Sequence, residues 1–110
     1  MNKKDFQSLI DTQFEQIKSL TATKGEEYSQ SIDQLANFKR QAAELSLSPE
    51  KVLMVYLNKH LDSIRAYVHS VNYGSPANLS EPISGRIDDA ILYLLLLQAM
   101  VVERREGTSE

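Results

Sequence analysis

Two groups of carboxylates and a scatter of cations carry whatever chemistry this chain can do. Glu26 and Glu27 stand together beside Lys24 and Gly25, and Glu81, Asp88 and Asp89 gather some fifty residues later. Magnesium takes oxygen ligands, usually one or two carboxylates completed by substrate phosphates and water, so two acidic groups on different helices can build such a site. Asp89 stands out because Arg86 at i−3 and Tyr93 at i+4 share its helical face. The sequence leaves open whether Asp88 or Asp89 faces a site, since one residue turns a helical side chain by about 100°. Lys24, Lys59, His60, Arg65 and Arg86 are the cations able to meet phosphate oxygens, arginine bidentately. Other chemistries lack candidates. There is no cysteine for a thiolate zinc site or a nucleophile. His60 and His69 lack metal-ligand spacing, and neither a nucleophile-elbow serine nor a glycine-rich phosphate loop is present.

Each of these residues also has a plain reading. Acidic groups near a helix N-terminus, as for Glu81 and Asp88, offset the macrodipole. Lys24, Lys39 and Arg65 suit ordinary surface charges. The aromatic residues Phe38, Tyr56, Tyr67 and Tyr73 suit core or interface roles, whereas Tyr28 and Tyr93 border the acidic groups and can stack on a base. The formal net charge of −3 gives no general affinity for nucleic acid or an anionic membrane. Met1-Asn2-Lys3-Lys4-Asp5 lacks the apolar run of a signal peptide. The apolar run near the C-terminus falls short of the roughly 20 residues of a membrane span. These features predict a soluble, cytoplasmic protein.

The elements that must position these groups are helical. Phe6, Ile10, Phe14, Ile17 and Leu20 recur at steps of three and four, predicting a first helix to about Thr23, with a break allowed at Lys24-Gly25. A second helix is expected over Asp33–Leu45, capped by Ser31 or Asp33, with Leu35, Phe38, Ala42 and Leu45 inward. Ser48 as N-cap and Pro49 at the first helical position start a third helix to about Val71. Its expected apolar positions are Val52, Val55, Tyr56, Ile64, Tyr67, Val68 and Val71. Asn72 to Ser80 is rich in turn formers and reads as a connection or a substrate-covering loop. A fourth helix is expected from Ile83 to Arg105. From Ala90 to Val102 only Tyr93 and Gln98 are polar, so this helix needs cover on nearly every side, from the same chain or another subunit. With no convincing strand, the expectation is all-α: one domain over residues 1–105, built like a four-helix bundle, and a polar, disordered tail at 106–110.

The series Lys24-Gly25-Glu26-Glu27-Tyr28, Leu35-Ala36-Asn37-Phe38, Lys59-His60, then Glu81-Pro82-Ile83-Ser84-Gly85-Arg86-Ile87-Asp88-Asp89 and Tyr93 resembles the small phage and prophage proteins related to the all-α MazG-like nucleotide pyrophosphohydrolases. The resemblance spans Lys24 to Val102 as scattered residues. It implies a fold that assembles as a dimer or tetramer and hydrolyses nucleoside triphosphates to monophosphate and pyrophosphate with magnesium. Carried over by position, Glu26, Glu27, Glu81 and Asp89 are the implied metal ligands, with Glu27, Glu81 and Asp89 catalytic. Lys24, Asn37, Lys59, His60, Arg86 and Tyr93 are the implied nucleotide contacts. The chain departs from the family in two places: Glu26-Glu27 replaces the usual Glu-x-x-Glu, and Gly85 lies where the second acidic pair is usually completed.

Three functions follow as expectations. The first is a magnesium-dependent nucleotide pyrophosphohydrolase. The second is a non-catalytic nucleotide binder with the same fold and fewer carboxylates. The third is a helical oligomerisation or interaction module in which Leu94–Val102 is mainly an interface.

Overall fold

The computed structural model describes residues 1–28, 33–74 and 82–108, with the side chains of 23–28 and 108 outside that description. It is all-α: α1 spans Lys3–Tyr28, α2 Ala36–Leu45, α3 Pro49–Asn72 and α4 Ile83–Thr108, with no strand among the described residues. None of these helices is long and apolar enough to cross a membrane, among the described residues. The chain divides into two compact units, Met1–Ala36 and Asn37–Glu110.

In the first unit, the side chain of Asn2 accepts a hydrogen bond from the Asp5 amide at 2.8 Å and caps α1. The helix runs through Gly25 without the break that Lys24-Gly25 allowed. A glycine inside a helix costs only about 1 kcal/mol relative to alanine, too little to end a helix by itself. Along the expected stripe Ile17 is buried, Ile10 and Leu20 are half-buried, and Phe6 and Phe14 are exposed.

The second unit is built around a sharp helical corner. The Leu47 amide donates to the Ala42 carbonyl at 2.9 Å and the Ser46 amide to the Ala43 carbonyl at 3.4 Å, while Ser46 takes φ +57°. This is a Schellman stop with serine in the left-handed position that glycine usually fills. Two residues on, Ser48 Oγ accepts from the Lys51 amide at 3.1 Å and Pro49 opens α3, as the sequence predicts. Because a left-handed backbone costs an L-residue about 1–2 kcal/mol that glycine avoids, partly offset by glycine's extra unfolded-state freedom, Ser46→Gly is expected to stabilise the chain by about 0.5–1 kcal/mol. Urea denaturation checks this, and an unchanged or lowered midpoint contradicts it.

Helix α2 starts at Ala36 rather than Asp33. The Asp33 carboxylate accepts from the Leu35 amide at 2.9 Å and its carbonyl from the Ala36 amide at 3.2 Å, so Asp33 forms the turn before the helix. The alternative cap, Ser31, lies outside the described residues. Leu45, expected inward, is exposed where the corner begins.

α3 packs along α4. One ion pair ties α3 to α4 and another ties α2 to α4. The Arg104 guanidinium grips Glu50 with both Nε and Nη2, the latter donating to Oε1 at 2.9 Å, and Lys39 Nζ donates to Glu103 Oε1 at 2.7 Å. The hydrogen bond from Arg104 holds the Glu50 carboxyl below its usual range, against the opposing effect of burial.

The core of this unit is Ala42, Val52, Leu53, Leu57, Ala90 and Met100. α3 turns Leu53 and Leu57 inward, neither of which was expected, and leaves Val55, Val68 and Val71 exposed. Leu53 and Leu57 are one turn apart and flank Tyr56, which sets the buried face about a third of a turn from one centred on Val55. The described residues do not cover α4 on every side: Ile87, Leu94, Leu95 and Val102 are exposed. α4 also runs three residues past its expected end, to Thr108.

Candidate functional site

The face where α2, α3 and α4 meet is aromatic. Phe38 from α2 sets its ring edge-on to both Tyr56 of α3 and Tyr93 of α4, at centroid distances of 6.2 and 6.3 Å. Tyr56 and Tyr93 lie parallel, with centroids 6.3 Å apart. Edge-to-face and offset-parallel pairs at these separations are the arrangements the ring quadrupole favours. The Tyr56 hydroxyl donates to Gln41 Oε1 at 2.8 Å, which satisfies its polar end. Lys59 carries its ammonium over the Tyr56 ring, 5.8 Å from the centroid.

One helical turn beyond Tyr56, His60 continues this face. Its imidazole sits 5.2 Å from the Tyr93 ring, and its Nδ1 lies 3.8 Å from Asp89 Oδ2. That separation fits an ion pair with a protonated histidine but exceeds hydrogen-bond length. Both side chains are largely sheltered, at 16% and 20% exposed. His60 Nδ1 is inaccessible to solvent and has no hydrogen-bond partner among the described residues. Asp89 and Tyr93 share a face of α4 because they stand at i and i+4, and His60 of α3 lies against both. Burial raises the Tyr93 phenol above its ordinary pKa, and the charge of Asp89 and then Tyr56 push it further up.

The structure therefore brings together four of the residues marked by sequence: Lys59, His60, Asp89 and Tyr93. Between the two aspartates, it is Asp89 that faces His60. Arg86 is half-buried one turn before Asp89, and Asn37 is half-buried next to Phe38 in α2. Glu81 lies outside the described residues, as do the side chains of Lys24, Glu26, Glu27 and Tyr28. The described residues contain no cluster of three or more acidic or histidine side chains able to hold a metal. Asp89 is the one expected magnesium ligand whose side chain is described, so the described residues do not by themselves make a magnesium site. The sequence did not signal Gln41, whose role depends on the length of the Tyr56 side chain reaching across from α3.

No known family, curated protein or solved structure matches the chain.

Proposed function

We propose that the face around His60, Asp89 and Tyr93 binds a nucleotide, in a bundle related to the MazG-like pyrophosphohydrolases. The supporting observation is the convergence of residues from two helices: the His60 imidazole lies against both the Asp89 carboxylate and the Tyr93 ring. Tyr93 offers an aromatic surface for a base, and stacking of this kind is worth about 1–3 kcal/mol per base. Lys59 and Arg86 supply positive charge for phosphates, and the His60 imidazole beside Asp89 offers a further polar contact. Asn37 and Lys24 are the remaining contacts implied by the resemblance.

Hydrolysis to pyrophosphate is the further step of this reading. It calls on Glu26, Glu27 and Glu81 to join Asp89 around magnesium, which when bound neutralises developing phosphate charge. The non-catalytic alternative is favoured by one observation: Asp89, the one implied metal ligand whose side chain is described, faces His60 at 3.8 Å.

The test is thermal stability with a panel of nucleotides, each with and without magnesium. A ligand at 100 times its Kd stabilises by about 2.7 kcal/mol, and each kcal/mol shifts the midpoint of a small domain by about 4–8 °C. A triphosphate is expected to raise the midpoint, and Arg86→Ala to abolish that rise while leaving the unliganded melt cooperative. A magnesium-dependent shift with pyrophosphate release supports the hydrolase, and a shift without turnover supports the binder. If no nucleotide moves the midpoint, the nucleotide reading fails.

A further inference from the structure

The hydrogen bond between Tyr56 and Gln41 sets which way an amide points. A glutamine side chain carries an acceptor oxygen at one corner and two N–H donors at the other, and the two corners are nearly alike in shape. Here the Tyr56 hydroxyl donates to Gln41 Oε1 at 2.8 Å, so the oxygen is turned toward the tyrosine. Nε2 is the corner left facing away. It has no partner among the described residues and is not sealed from solvent. Gln41 is half-buried and stands three residues after Phe38, on the side of α2 that meets Tyr56.

The position of these two donors suits the edge of a stacked base. A phenol oxygen lies in the plane of its ring, so Gln41, held at that oxygen, borders the rim of Tyr56 rather than its face. The Tyr56 and Tyr93 rings are parallel to within 1°, with centroids 6.3 Å apart. A base stacked on Tyr93 is therefore parallel to Tyr56 as well, and it turns an edge toward groups at the rim of that ring.

We infer that Gln41 selects bases with a carbonyl on that edge over bases with an amino group there, and that Tyr56 is the residue that positions it. The carbonyl is that at position 6 of a purine or position 4 of a pyrimidine, and it accepts from Nε2. An amino group at the same position sets donor against donor and leaves both unpaired, which is the costly arrangement. A glutamine free to lie along adenine reads it with both corners, oxygen to the amino group and nitrogen to N7. One whose oxygen is turned to a tyrosine presents its donors alone. This inference rests on the nucleotide reading of the same face and adds the class of base to it.

Titration calorimetry on the full chain with magnesium tests it, using α,β-methylene triphosphates so that no hydrolysis intervenes. Inosine and adenosine differ by the exchange of carbonyl for amino group at position 6, with the ring proton that accompanies it, and uridine and cytidine differ in the same way at position 4. The inosine ligand is expected to bind about three- to tenfold more tightly than the adenosine ligand, the worth of one net hydrogen bond, and the uridine ligand to exceed the cytidine ligand by a similar factor. Tyr56→Phe releases the amide to turn either corner outward, so both ratios should fall toward one. Gln41→Glu presents an acceptor in place of the donors, and both ratios should invert. A role for Gln41 in packing alone would change all four affinities together and leave the ratios where they were. Equal affinities within each pair for the unmodified chain, with binding retained, would overturn the inference and leave the nucleotide reading standing; this comparison needs no variant to fold. Ratios that persist unchanged through both substitutions would overturn it too, since another group would then be reading the base. If none of the four ligands binds, the nucleotide reading fails and this inference falls with it.

Discussion

Leu53→Ala is expected to cost about 2–5 kcal/mol, the largest effect of any single truncation in the second unit. Leu53 is fully buried at 0% exposure, the one large side chain among the described residues sealed to that degree. Truncating it removes its transfer free energy and leaves a cavity that the packed α3 and α4 backbones can close only in part. A unit of this size has about 4–11 kcal/mol of stability in all, so the loss is a large share of the total. The melting midpoint should fall by at least about 10 °C. Leu53→Met, which conserves volume, should lose less than about 1.5 kcal/mol. Val55→Ala, on a side chain half exposed two residues later, should stay within about 0.5 kcal/mol of the parent. The order of these three midpoints is the measurement. Equal losses at Leu53 and Val55 would mean that the buried face of α3 has been misassigned.

That comparison also marks how far the sequence could be read. The start of α3 was legible because local chemistry sets it, whereas the start of α2 was placed three residues early, at the Asp33 turn. Ser48-Pro49 begins α3 through a side-chain cap and a missing amide, and both effects act within four residues. The rotation of α3 was not legible, because Val52, Val55, Tyr56 and Leu53, Tyr56, Leu57 are both acceptable apolar stripes. The packing partner chooses between them. α4 posed the same difficulty more strongly: with apolar residues nearly all round, no face is selected by pattern, and its exposed sector emerges only once α2 and α3 occupy the other side. At the candidate site, the i, i+4 relation of Asp89 and Tyr93 was visible from spacing alone. Their convergence with His60 depends on the α3–α4 register, which no local rule fixes. Gly25 errs the other way, since a residue that permits a break does not require one.

Phe38→Ala is the substitution that tests whether the aromatic face holds the candidate site together. Phe38 is the α2 side chain that touches rings on both other helices of its unit, edge-on to Tyr56 and to Tyr93. Fully buried phenylalanines cost about 3–5 kcal/mol on truncation, and Phe38 is half-buried, so about 2–3 kcal/mol is expected at neutral pH. A second effect follows from the Tyr93 phenol. Burial is the first cause of its raised pKa, ahead of Asp89 and Tyr56, and Phe38 contributes part of that burial. A raised folded-state pKa means that the folded protein holds its proton more tightly than the unfolded chain. The associated stability is therefore complete below the ordinary tyrosine pKa near 10 and is lost as pH rises from there through the folded value. Removing Phe38 admits water to Tyr93, so its titration should move down toward the ordinary value and this alkaline loss of stability should shrink. Ultraviolet titration of tyrosinate, with Tyr93→Phe used to assign its share of the five tyrosines, reads the pKa, and urea denaturation from neutral to alkaline pH reads the stability. If Phe38→Ala lowers stability but leaves the Tyr93 titration where it was, Phe38 packs the helices without shielding the phenol. The base-stacking role proposed for Tyr93 would then involve a ring more open to solvent than this geometry indicates.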